Sequence, residues 1–138
     1  TSVRTVSVPI LENDTFHPSI ALDLTDALVK EIQRRTPYNV TGEVRADTIL
    51  SGRIRRVELD QLAKSKLTGL SEEVIVTVTI DFEWTDLRTG RTLVARESYA
   101  GQGVFNPSRP VGEPVELGTL AVVQQLARDV VSEMRSAW

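Results

Sequence analysis

The stretch from Val74 to Trp84 constrains the fold more than any other part of the chain. Its even positions are all apolar (Val74, Val76, Val78, Ile80, Phe82, Trp84), and its odd positions are mostly polar, among them Thr77, Thr79, Asp81 and Glu83. Side chains on a strand alternate between faces, so this segment is a long strand with one buried and one wet face. Asp86-Leu87-Arg88-Thr89-Gly90 then reverses the chain, with Gly90 suited to a positive φ in a short hairpin loop. The segment 91–100 returns as the antiparallel partner. A sheet with one wet face is covered on the other side only, so the rest of the chain must supply the cover.

Two helices meet that need. Ile20, Leu24, Leu28 and Ile32 step by four and predict a helix over 20–35. Ser19 is placed to be its N-cap, and Thr36-Pro37 stops it. Asp23 and Asp26 early and Lys30, Arg34 and Arg35 late complement the helix dipole. A second helix over 115–136 carries Leu120, Val123, Ala127, Val130 and Met134. Val6, Val8 and Ile10 alternate in a first strand, followed by a polar turn at Glu12–Thr15. Residues 38–44 are weakly extended. A further strand over 48–62 changes phase between Leu50 and Ile54 on one parity and Val57 and Leu59 on the other, which a bulge at Arg55-Arg56 would reconcile. Lys64–Ser71 forms a hairpin tip, and GQGVFNPSRPVGEP, rich in Gly and Pro, reads as irregular. The fold class is α+β in the order β-α-β-β-β-α, with two helices on one face of a mixed, mostly antiparallel sheet of about four strands. The expected core is Leu24, Leu28, Ile32, Val76, Val78, Ile80, Phe82, Leu120, Val123, Ala127 and Val130.

At 138 residues the chain is read as a single domain, 1–138, large enough to bury a core. A net charge of -3 argues against a general nucleic-acid binder. Without cysteine there is no disulfide framework, thiolate metal site or thiol nucleophile. No apolar run reaches the length of about 18 residues that a spanning helix needs. The chain opens at Thr1, directly before a strand, as expected of a sequence trimmed behind a targeting segment.

Chemistry is sparse. His17, the single histidine, stands between Phe16 and Pro18 near Asp14, with no Ser in position for a triad. It reads as a loop residue, and neither a metal site nor a cofactor is expected. Asp81 and Glu83 share a strand face, but it is the wet one, where carboxylates stay ordinary. The glycines of GQGVFN lack phosphate-loop spacing. No catalytic residue is assigned, and the protein is not expected to be an enzyme.

Charge is more informative. From Arg45 to Lys66 the bases Arg45, Arg53, Arg55, Arg56, Lys64 and Lys66 outnumber the acids Asp47, Glu58 and Asp60, whereas residues 67–86 carry acids and no base. One reading is cross-strand charge pairing on a solvated face. The other is an anion site in which Arg53, Arg55, Arg56, Lys64 and Lys66 contact phosphorylated lipid.

The stretches TVSVPILENDTF, DLTDALVKEIQRRTPYNV, ADTILSGRI, VTVTIDFEWTDLRTGRTL and LARDVVSEMRSAW together resemble the LptE-type lipopolysaccharide-assembly lipoproteins. The resemblance implies a small sheet with two helices packed on it and a non-enzymatic role. It implies anchoring in the outer membrane through a lipidated N-terminal cysteine, which this sequence lacks, with the domain facing the periplasm. It also implies association with the β-barrel translocon protein LptD, whose assembly such proteins assist and whose lumen they plug, and contact with lipopolysaccharide. Loops reach furthest from such a plug, so Leu67, Thr68, Phe105, Asn106 and Arg109 are candidate barrel contacts. The alternative is another envelope lipoprotein domain, CsgG-like or LpoB-like, acting by protein–protein binding.

Overall fold

The alternating strand is paired along both of its edges, and its apolar face is buried. The computed structural model describes residues 4–61, 73–105 and 115–137. In chain order the elements are β1 (Thr5–Ser7), β2 (Glu12–Asn13), α1 (Ile20–Arg35), β3 (Asn39–Val40), β4 (Thr48–Gln61), β5 (Val74–Asp86), β6 (Thr92–Phe105) and α2 (Val115–Ser136), with a 3-10 turn at Glu43–Arg45. The sheet has six strands in the order β3-β1-β4-β5-β6, and β2 pairs with β4 off this path. The three long strands are antiparallel, while β1 runs parallel to both β3 and β4.

The sheet is therefore α+β and mostly antiparallel, with six strands rather than four. The two extra strands, β2 and β3, are two residues each, too short to leave a period in the sequence. Glu12-Asn13, expected to turn, pairs in parallel with Arg53-Ile54. The N-terminal alternation also slips. Ile10 is exposed and Leu11 is buried, because the Leu11 N–H donates to Thr25 Oγ1 inside α1 (3.1 Å). A Cβ at Gly52 would lie 2.8 Å from Asp81 O and 3.3 Å from Leu11 Cδ2.

Helix α1 keeps its expected bounds. Ser19, however, makes no side-chain cap and has helical backbone angles. Asn13 and Thr15 build the entry instead: Asn13 Nδ2 donates to His17 O (2.9 Å), and the His17 N–H donates to Thr15 Oγ1 (3.1 Å). At the other end, Arg35 donates to Arg128 O (3.1 Å) and Ser132 Oγ (3.1 Å), tying α1 to α2. The buried Glu31 lies 3.4 Å from Arg34 and 3.5 Å from Arg35.

The bulge in β4 falls where the phase change placed it, between Ile54 and Arg56. Beyond it Val57 is half-buried against the core, while Leu59, near the strand end, is 43% exposed. Of the expected core residues, all but Leu120 are buried. Leu120 is 36% exposed, since α2 presses Val122, Val123, Leu126 and Val130 onto the sheet and turns Leu120 outward. Strand β6 continues through Gly101 to Phe105, where irregular chain was expected.

The β5–β6 turn matches its reading: Gly90 has φ +76°, and its N–H donates to Asp86 O (2.8 Å). The Asp86 carboxylate accepts the Arg88 N–H (2.8 Å) and its Nε (3.3 Å). The Arg88 guanidinium, then the Arg88 backbone N–H, hold the Asp86 carboxyl below the ordinary carboxylate range. A carboxyl depressed in the folded state stabilises the fold above the unfolded pKa and loses that contribution as pH falls through the folded one. Asp86→Asn should thus be less stable than the parent near neutrality, and the gap should close as pH is lowered below about 4. Urea midpoints of both proteins across that range check this; a gap independent of pH would exclude the charge as its source.

Candidate functional site

The bulge sets the geometry of the open sheet face. Arg53 precedes it, Arg55 is the inserted residue, and Arg56 resumes pairing opposite Thr79. All three are bound to carboxylates. Arg53 pairs with Glu12, its register partner in β2, and with Asp14 (3.0 Å). Arg55 lies 3.3 Å from Asp81 on the neighbouring strand and 3.7 Å from Asp14. Arg56 pairs with Glu58 along its own strand (3.2 Å). The Asp14 hydrogen bond, ahead of the charges of Asp14 and Glu12, raises the Arg53 pKa.

Cross-strand pairing is thus present at Arg55–Asp81 and Glu58 is a near neighbour along β4, but the partners of Arg53 come from farther away in sequence. Glu12 and Asp14 lie some 40 residues earlier in sequence, and a parallel strand brings them to β4. The Asp14 N–H donates to Ile54 O (2.9 Å), fixing the loop to the bulge. The only advance signal was the END sequence itself, two acids flanking a residue suited to side-chain–backbone bonds.

Beside these residues the open face carries a shallow groove of about 420 Å³ lined by Ile10, Glu12, Arg53, Asp81, Glu83 and Glu97, among others. Acids outnumber bases in that lining. Asp81 has a second role, since one of its oxygens accepts the N–H of Ser98 (3.0 Å), which has φ 52° where the β5–β6 register shifts. Glu83 instead accepts from Thr85 (3.1 Å) and Thr92 (3.3 Å), so the two carboxylates serve separate hydrogen bonds. His17 bonds through its backbone, in the turn that opens α1. Among the described residues no three His, Asp or Glu side chains are grouped to hold a metal ion, and no helix is long and apolar enough to cross a membrane. The arrangement suits polar binding more than bond-breaking.

Of the residues singled out in sequence, Arg53, Arg55 and Arg56 share this site. Lys64, Lys66, Leu67, Thr68, Asn106 and Arg109 lie outside the described residues. Phe105 is the last residue of β6.

Comparison with solved structures shows the same fold at low identity. The hypothetical protein CT253 from Chlamydia trachomatis superposes with a TM-score of 0.66 at 6% identity, covering 99% of this chain and 98% of that one. A minor lipoprotein from Acinetobacter baumannii gives 0.61 at 15% identity, with 97% and 94% covered. Lipoprotein B from Nitrosomonas europaea gives 0.60 at 15%, with 99% and 87% covered. No curated protein matches the chain in sequence. A family model does: it is described as LptE, lipopolysaccharide-assembly, and it matches residues 3–137. With that match running from β1 to the end of α2, the chain belongs to the LptE family of lipopolysaccharide-assembly proteins.

Proposed function

We propose that this chain is a non-enzymatic outer-membrane lipoprotein that plugs the LptD β-barrel translocon, assists its assembly and contacts lipopolysaccharide. The observation that carries this reading is the family match over 3–137. In the full protein a lipidated N-terminal cysteine holds the domain on the periplasmic face. A plug presents much of its surface to a polar lumen, which suits the charged open face of the sheet.

Lipid contact is assigned to Arg53, Arg55, Arg56, Lys64 and Lys66, and barrel contact to Leu67, Thr68, Phe105, Asn106 and Arg109. The ion pairs of the three arginines do not forbid this. Exposed pairs contribute about 0–1 kcal/mol, so a phosphate that engages the guanidinium fork bidentately can displace a carboxylate.

Binding of lipopolysaccharide to the chain, measured at low and moderate salt, tests the contact. Changing all five cations to Ser should weaken binding and flatten its salt dependence. Unaltered affinity would remove the lipid assignment. Co-expression with the barrel protein tests the partner, and failure to co-purify would remove the translocon role. Hydrolase activity that disappears on His17→Ala or Asp81→Asn would overturn the non-enzymatic reading.

A further inference from the structure

Away from the β4 bulge, unpaired positive charge gathers at the end of the sheet where β4 begins, β5 ends and β6 begins; Arg128 and Arg135 of α2, also exposed and in no ion pair among the described residues, belong to the helix layer. Asp47 gathers this end. Its carboxylate accepts the N–H groups of Arg4 (3.0 Å) and Thr5 (3.3 Å), and its carbonyl accepts the Leu87 N–H (2.8 Å). Thr5 Oγ1 donates to Arg45 O (3.4 Å), and the Asp86 N–H donates to Arg91 O (2.8 Å). Helix α1 also ends here, passing through Thr36 into β3, where the Asn39 N–H donates to Arg4 O (2.9 Å).

Three arginines at this end, Arg4, Arg45 and Arg91, are exposed and form no ion pair among the described residues. Their nearby acids are engaged: Asp47 by backbone N–H groups, Asp86 by Arg88 (3.3 Å). Glu43 is the one exposed acid in the turns concerned. Between the cations stand two apolar tips. Val44, in the middle of the 3-10 turn, is fully exposed, and Leu87, on the β5–β6 turn, is 45% exposed. This is the reverse of the bulge face, where every arginine is paired.

We propose that this end of the fold docks on an anionic phospholipid surface. Val44 and Leu87 enter the headgroup layer, and Arg4, Arg45 and Arg91 lie over lipid phosphates. Convex tips ringed by cations fit a deformable layer that needs no pre-formed pocket. The Arg fork matches phosphate oxygens. The proposal is independent of the lipopolysaccharide contact above, since it uses other residues at another end.

The test is sedimentation of the chain with phosphatidylglycerol vesicles, and with phosphatidylcholine vesicles as the neutral arm, at low and moderate salt. Each basic side chain near an anionic leaflet contributes about fivefold in binding, so R4S/R45S/R91S should lose on the order of 100-fold. V44S/L87S should also bind more weakly. The triple lysine variant R4K/R45K/R91K should keep most of the binding, which separates lost charge from a damaged fold. Absence of binding by the parent or undiminished binding by R4S/R45S/R91S would overturn the proposal. Binding of this end to lipopolysaccharide aggregates but not to phosphatidylglycerol vesicles would overturn it as well.

Discussion

Trp84→Ala is expected to cost about 3–5 kcal/mol, a large share of the roughly 5–15 kcal/mol by which a domain is stable. Trp84 is fully buried on β5, facing Leu50 of β4 on one side and Val94 of β6 on the other. Its ring meets Tyr38 at 5.8 Å with a 48° tilt, linking the sheet to the chain that leaves α1. Burial also raises the Tyr38 pKa. Trp84 Nε1 donates to Thr48 Oγ1 (3.0 Å), and that hydroxyl donates onward to Thr5 O (2.9 Å). Truncation to Ala therefore leaves a cavity among rigid strands and removes one bond of a chain joining β5, β4 and β1. Trp84→Phe keeps most of the apolar volume and leaves Thr48 bonded to β1, so it should cost much less. Urea unfolding of both variants, with slopes equal to the parent's, measures the difference. A loss below about 1 kcal/mol for the Ala variant, the typical effect of an ordinary substitution, would show that the site collapses around the missing ring.

The strand that carries Trp84 was legible in the sequence because it repeats one pattern over eleven residues, although the expected core stopped at Phe82. Helix α1 was legible for the same reason: four apolar residues at helical spacing and a Thr-Pro stop fix both ends. Elements that owe their existence to partners were not. Strands β2 and β3 are extended because β1 and β4 supply their hydrogen bonds, and two residues hold no period. The shift from Ile10 to Leu11 depends on a hydroxyl in α1, Thr25, that no local pattern reveals.

The site was legible by residue type and less so by arrangement. The arginines of the bulge were visible as a local excess of charge, and the bulge itself as a change of phase. Their neutralisation by Glu12 and Asp14 was not, because counting charge within one window ignores the strand that topology brings alongside. The same applies in reverse to Arg4, Arg45 and Arg91. They are spread over the chain, and only the convergence of three turns on Asp47 puts them at one end. A sequence window finds cations that are neighbours along the chain; the fold decides which of them stay unpaired.

The glycines of β6 carry the last prediction, because they misled for a physical reason. Gly101 and Gly103 suggested irregular chain, since glycine weakens a strand interior. The structure places both in β6, paired with Val78 and Val76, on the face covered by α2. A Cβ at Gly101 would lie 2.7 Å from Leu126 Cγ, and one at Gly103 would lie 2.7 Å from Val122 Cγ2. The Leu126 and Val122 side chains of α2 occupy the space that a Cβ at either position would need, while Arg96 holds the helix farther along through Glu133 (2.9 Å). G101V/G103V should therefore cost about 2–6 kcal/mol, two overpacked sites at roughly 1–3 kcal/mol each. Valine favours strand geometry, so a net stabilisation would mean that backbone entropy outweighs the contact with α2. The mechanism has a sharper signature. In the Gly101→Val background, Leu126→Ala should cost less than it does in the parent, because the lost side chain relieves the clash. Gly42→Ala, where nothing stands within 4 Å, should leave the unfolding midpoint nearly unchanged. Additive costs for Gly101→Val and Leu126→Ala would separate the two residues and refute the close approach of α2 to β6.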